Sequence, residues 1–301
     1  TINSEPHQRV KKDTGVISEG SVGKIMPFIY VRGYLSHAGK VFEGFNPVSL
    51  LSRIAGKTEL NLGLSDFIEN EASPPPTWLH FKDSKNHYDV SMPLGAYGYM
   101  SLHTLNRDPV KVISDIKRIC MEAFTEHIQY MNMEYEKYCF NTNRIYKPLP
   151  WQPKVVTYKE LYDEAYANHG DAFENSYKHA LEEAKSKVSS GQKSMADVNL
   201  YLVERIFDFI DDLSPRVVIG LAPPYYPSVS NINLENVDMR IKRISEDIIR
   251  FAMEKFQQSY DREYFFTGIS DLSYTSIKNG EEIAQNLKGN MPLYGSVYSI
   301  P

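Results

Sequence analysis

Eight histidines, His7, His37, His80, His87, His103, His127, His169 and His179, are the first place to look for chemistry. Imidazole serves near neutral pH as metal ligand, general base and hydrogen-bond donor. No two of them stand four residues apart, so the H-E-x-x-H arrangement is absent, and no C-x-x-C pair offers a structural zinc site. The glycine patterns that cradle phosphates and the G-x-S-x-G nucleophile turn are also missing, which takes the main support from dinucleotide, P-loop and hydrolase-elbow readings. Three places remain. Glu5 lies in Asn3-Ser4-Glu5-Pro6, His37 in Ser36-His37-Ala38-Gly39, and Gly268-Ile269-Ser270-Asp271 is a polar turn. Read alone, they are an exposed carboxylate, a solvent-facing loop histidine and a helix cap.

These residues need elements to hold them. Ile25 to Leu35 has the β-branched and aromatic composition of a strand, and it delivers the chain to the His37 loop. Pro27 suggests an edge strand or an irregular start. Asn46 with Pro47 then begins a helix carrying Val48, Leu50, Leu51 and Ile54 on one side, with Gly56 as its stop. Pro74-Pro75-Pro76 breaks regular structure, and Trp78–Phe81 and Tyr97–Leu102 read as strands on either side of a turn at Pro93-Leu94-Gly95. Asp108-Pro109 opens a long helix whose apolar stripe includes Ile113, Ile116, Cys120 and Phe124.

Tyr158 to Ser189 is charged and helix-prone, and Ser194 caps a further helix bearing Val198, Leu202 and Ile206. Val217–Leu221 is a short continuous apolar run of the kind found in a strand covered on both faces. Leu234, Val237, Ile241, Ile244, Ile248 and Ala252 make one side of another amphipathic helix. Strands interleave with helices throughout, so the fold class is α/β or α+β.

Length and composition set the limits. The 301 residues suggest two domains at roughly 150 residues each. The net charge of −5 argues against nucleic acid as a partner, and no run approaches the ~18 apolar residues that span a bilayer. Two cysteines, Cys120 and Cys139, make no disulfide framework, which reads as a reducing, cytoplasmic setting. The chain opens at Thr1 and closes at Pro301, and both ends look cut from something longer.

In combination the signals resemble a family, the co-catalytic zinc amidohydrolases and metallopeptidases that include acetylornithine deacetylase, succinyl-diaminopimelate desuccinylase and carboxypeptidase G. The nearest likeness is to its arginine-utilisation, RocB-type branch. The stretches that carry it run through nearly the whole chain. They are Gly23–Pro27, His37-Ala38-Gly39 with Phe42-Glu43-Gly44 and Asn46, Pro74–Thr77, Ala222–Pro227, Gly268–Tyr274 and Asn290–Gly295.

The resemblance implies an α/β catalytic domain with an inserted α+β lid that also makes a homodimer. The catalytic domain would be represented by residues 1–22 and 227–301 and the lid by 23–226, enlarged by a helical insertion at about 148–213. It further implies two zinc (or cobalt) ions in the intact enzyme, with Glu5 as a terminal metal ligand. His37 would be the lid histidine that reaches the partner's active site and steadies an oxyanion, and Gly268, Ser270 and Asp271 would line the substrate pocket. The substrate would be an N-acyl amino acid or a short peptide. The family's H-x-D, its paired glutamates and its last metal histidine have no counterpart here, so this chain alone is expected to be inactive. The strand ending at Ser101-Leu102-His103-Thr104 also lacks the arginine that several members use to grip a substrate carboxylate, which leaves the substrate class open, with His103 as a candidate replacement. The alternative is a dimerisation or peptide-binding module that catalyses nothing.

Overall fold

The computed structural model describes residues 12–234, 238–276 and 280–300. In chain order, strands β1 (Thr14–Ser18), β2 (Gly20–Ser21) and β3 (Gly23–Arg32) lead to helix α1 (Pro47–Thr58). The small hairpin β4 (Phe67–Ile68) and β5 (Glu71–Ala72) follows, then β6 (Thr77–Asp83), β7 (Gly95–Thr104) and the long helix α2 (Pro109–Asn141). The next elements are β8 (Val155–Thr157), α3 (Tyr158–Ser189), α4 (Val198–Phe207) and β9 (Arg216–Tyr226). The chain closes with β10 (Val229–Ser230), α5 (Met239–Phe256), β11 (Ser259–Glu263) and α6 (Gly280–Asn290).

The molecule is a mixed α/β fold. Its main sheet has the order β6-β7-β3-β9-β8, antiparallel except for the parallel β8–β9 pair. Ile25, Ile29 and Val31 of β3 pack with Leu50, Leu51 and Ile54 of α1 and Val112, Ile116, Cys120 and Phe124 of α2. Met26, Phe28 and Tyr30 point the other way, against Leu161, Ala165 and Phe173 of α3 and Val203 and Ile206 of α4. Helices on both faces explain why β3 and Val217–Ala222 are apolar without alternation. Gly220 faces Phe28 across the ladder, and a Cβ there would lie 2.3 Å from the Phe28 ring, so glycine makes room for that ring.

The expected helix starts at Asn46 and Asp108 are present. Asn46 accepts the N–H of Val48 at the start of α1, Asp108 accepts that of Lys111 in α2, and Thr157 with Glu160 forms a capping box at the start of α3. Of the two expectations for Pro27, the irregular start is the one observed: it lies in the central strand, not at an edge, where the ladder to β7 skips Met26 and Pro27 and a bulge interrupts the ladder to β9. Three expectations need correction. Helix α1 passes through Gly56 and ends at Thr58, where the Glu59 N–H bonds Ala55 O. Ser194 caps the turn before α4, its Oγ accepting the Asp197 N–H at 3.1 Å, rather than α4 itself. Ile244 and Ile248 of α5 are exposed, because α5 buries Ser245 and Ala252 instead.

Two smaller sheets join the beginning and end of the chain. β1 runs parallel to β11, and β2 runs antiparallel to β10. Between β1 and β2, Glu19 is buried and takes a two-pronged ion pair from Arg262, with Nε at 2.6 Å and Nη2 at 2.7 Å. Ser245 of α5 also donates to Glu19. A carboxylate taken from water needs such donors, and here they fasten α5 and β11 to the N-terminal strands. Among the described residues no helix is long and apolar enough to cross a membrane.

Candidate active site

The His37 loop is built by pairing rather than left free. Tyr34 and Phe45 exchange both backbone hydrogen bonds at 3.0 Å, closing the loop's neck. Ala38 N–H donates to Val90 O at 2.8 Å and Met92 N–H to Ser36 O at 2.9 Å, which sets His37 directly opposite Ser91. The partner segment is itself clamped. Asp89 accepts the Ser91 N–H and the Lys85 ammonium, each at 2.7 Å, and these bonds hold its carboxyl well below the usual carboxylate range. On the other flank Phe42 lies against Tyr135 and Tyr138 of α2, with ring centroids at 4.7 and 5.4 Å.

Within this frame the Gly39 N–H donates to His37 Nδ1 at 3.0 Å. An accepting Nδ1 carries no proton in the neutral ring, so the proton sits on Nε2. His37 is exposed, and its imidazole therefore offers an N–H outward even when uncharged. That is the group an oxyanion requires.

The second predicted element lies elsewhere. Phe266 pairs with Ser21, the Val22 N–H bonding Phe266 O and the Phe266 N–H bonding Gly20 O, each at 2.9 Å. The chain then turns through Gly268 to Ser270, whose hydroxyl accepts the Leu272 N–H at 3.2 Å, and Asp271 opens a 3-10 turn running to Ser276. Ser273 in that turn is fully buried, with its Oγ 3.4 Å from Ser21 Oγ. Gly268, Ser270 and Asp271 thus share one turn fastened just before the start of β3. His37 follows the other end of that strand. Ten residues of extended chain separate the two, about 30 Å at ~3.3 Å per residue.

The junction between the turn and the main sheet is well bonded. Glu71 accepts the N–H groups of Tyr264 at 2.6 Å and Phe265 at 3.0 Å. Tyr274 and Tyr298 both donate their hydroxyls to Tyr225 O at 2.6 Å, and burial pushes the Tyr298 hydroxyl well above its ordinary value. The predicted ligand Glu5 lies outside the described residues. Among the described residues no three His, Cys, Asp or Glu side chains converge as metal ligands.

Sequence reasoning missed the Gly39 amide, the Asp89 clamp and the Glu71 tether. Asp89-Val90-Ser91 carried a faint signal, since an aspartate two residues before a serine commonly bonds that residue's N–H. The Glu71 bonds join residues 193 and 194 positions apart and had no local signature.

The chain is 26% identical over 283 residues to the uncharacterised protein YqjN of Bacillus subtilis (strain 168), covering 94% of this chain and 49% of that protein. It is 25% identical over 299 residues to protein RocB of the same organism, covering 96% of this chain and 50% of RocB. The chain therefore spans about half the length of these curated relatives. The likeness to RocB-type proteins read from short motifs extends through nearly all of it. No protein-family model matches. A solved aminopeptidase PepT from Bacillus cereus ATCC 10987 aligns with 38% of this chain and 29% of its own, at 14% identity and a TM-score of 0.30, too slight a likeness to support an argument.

Proposed function

We propose that this chain is part of an amide or peptide hydrolase, acting on an N-acyl amino acid or a short peptide, in which His37 donates to the oxyanion formed at the attacked carbonyl. The observation that carries the reading is the His37–Gly39 bond, which leaves an outward Nε2–H on a braced loop. A donor fixed before the reaction stabilises charge that appears only in the transition state. Gly268, Ser270 and Asp271 line the substrate pocket in this reading, and their place at the other end of β3 supports a homodimer in which His37 serves the partner's pocket.

Residues 1–22 and 227–301 belong, in this reading, to the catalytic domain and 23–226 to the lid. The pairing of β1 with β11 supports joining the two ends in one unit. So does α5, whose Ile244, Ile248 and Phe251 form an exposed flank beside a parallel pair, because parallel strands normally lie beneath apolar cover on both faces. Zinc or cobalt, with Glu5 as one ligand, stays a proposal about the whole protein. No step is derived through a metal.

The test is hydrolysis of N-acetyl amino acids and dipeptides by the whole protein, with zinc or cobalt supplied. His37→Ala is expected to lower kcat on the order of 100-fold with bound metal unchanged. Equal losses of activity and metal would assign His37 to the metal. No hydrolysis by the unaltered protein would leave a dimerisation or peptide-binding module.

A further inference from the structure

Residues 84–94 connect β6 to β7, and the His37 loop leans on that connection. Ala38 N–H donates to Val90 O and Met92 N–H to Ser36 O, so the place of His37 is set by where Val90, Ser91 and Met92 lie. A surface connection of this kind opens readily unless its own groups tie it down. Its base is closed by Ser84 N–H on Gly95 O and Gly95 N–H on Ser84 Oγ, both at 3.0 Å. Those bonds leave residues 85–92 to be ordered by something else.

One side chain orders them. The Lys85 ammonium donates to Asp89 Oδ1 at 2.7 Å, to Asp89 O at 3.1 Å and to Ser91 O at 2.6 Å. An ammonium carries three N–H groups, and all three are used. The side chain is 21% exposed, whereas a surface lysine ordinarily keeps its charged head in water. Asp89 Oδ1 in turn accepts the Ser91 N–H and the Ser91 hydroxyl. Every polar group of Ser91 is thereby engaged, and Ser91 is the residue paired with His37.

We propose that Lys85 is a positioning residue for His37. Its ammonium is an internal cation around which residues 89–91 fold, and through Ser91 and its neighbours it fixes the point from which the His37 N–H is offered. Placement of that kind matters to a reaction, since a shift of about 1 Å in a reacting group can cost up to 100-fold in rate. The bracing stands on the bonds above. That the braced donor meets an oxyanion rests on the function proposed above.

Amide hydrogen exchange in this chain tests the bracing. In Lys85→Met the Ala38 and Gly39 amides should exchange ~10-fold faster or more, while the amide of Ile29, in the middle of β3, stays as slow as before. Lys85→Cys should behave alike. Alkylating it with 2-bromoethylamine returns an ammonium on a side chain of equal length and should slow both amides again, Cys120 and Cys139 being buried out of the reagent's reach. Unchanged exchange at Ala38 and Gly39, equal acceleration at Ile29, or no recovery on alkylation overturns the assignment. In the whole protein Lys85→Met should lower kcat ~10-fold with KM unchanged, and should cost nothing further once His37→Ala is present. The same loss in the His37→Ala background overturns action through His37. A whole protein that hydrolyses nothing, with exchange changed as described, upholds the bracing and removes the oxyanion role alone.

Discussion

Gly39 and His37 are joined by a backbone N–H to Nδ1 bond of 3.0 Å, two residues apart on a loop braced by Ser91 on one side and Phe42 on the other. The bond selects a tautomer. In the neutral ring Nε2 carries the proton, so nitrogen-15 NMR of the neutral His37 ring should show a protonated Nε2 and an accepting Nδ1. A population dominated by Nδ1–H would contradict the oxyanion role.

Helix α5 supplies a test of the larger catalytic domain proposed above. Ile244 and Phe251 are each 56% exposed, so Ile244→Glu or Phe251→Glu should change the stability of this chain by no more than about 0.5 kcal/mol. In the whole protein, where a larger catalytic domain would cover that flank, the same substitutions should cost 2 kcal/mol or more, roughly the value of burying a large apolar side chain. Urea unfolding of both forms checks this. Equal tolerance would remove the support that α5 gives to a larger domain.

His127 gives the pH dependence. It is 3% exposed, Arg53 Nε donates to its Nδ1 at 3.0 Å, and burial with the Arg53 charge pushes its pKa down to about 4. The unfolded chain binds that proton near pH 6.5, so the stability this residue contributes is present above pH 6.5 and is lost as the pH falls toward 4. The loss should reach about 2 kcal/mol between pH 7 and 4.5, and His127→Gln, which still accepts from Arg53, should shrink it. Urea midpoints at the two pH values measure it, and an unchanged pH slope in His127→Gln would contradict the assignment.

Legibility followed the range of the interactions. Asn46, Asp108 and Thr157 announced helix starts because a cap is settled within three residues. Trp78 and Tyr97 announced strands by their own composition. The β1–β11 pair was invisible, since Thr14 meets Ser259 only when the two ends of the chain are brought together. Pro27 left two alternatives open, and only the structure selects the irregular start over the edge, since the rule against proline in a central strand yields where the ladders are interrupted. Ile244 and Ile248 misled because amphipathic spacing says that a helix has an apolar side, while the neighbours decide whether that side is covered. At the candidate site, His37 stood out by residue type, but the Gly39 bond that decides its protonation needed coordinates.

The most direct trial of the account mixes two variants of the whole protein that it expects to be strongly impaired, His37→Ala and Asp271→Ala, and measures hydrolysis after the subunits exchange. With His37 acting across a symmetric dimer, half of the dimers are mixed and each holds one intact site, so activity should return to about a quarter of the unaltered level. A mixture as inactive as either variant alone would contradict it.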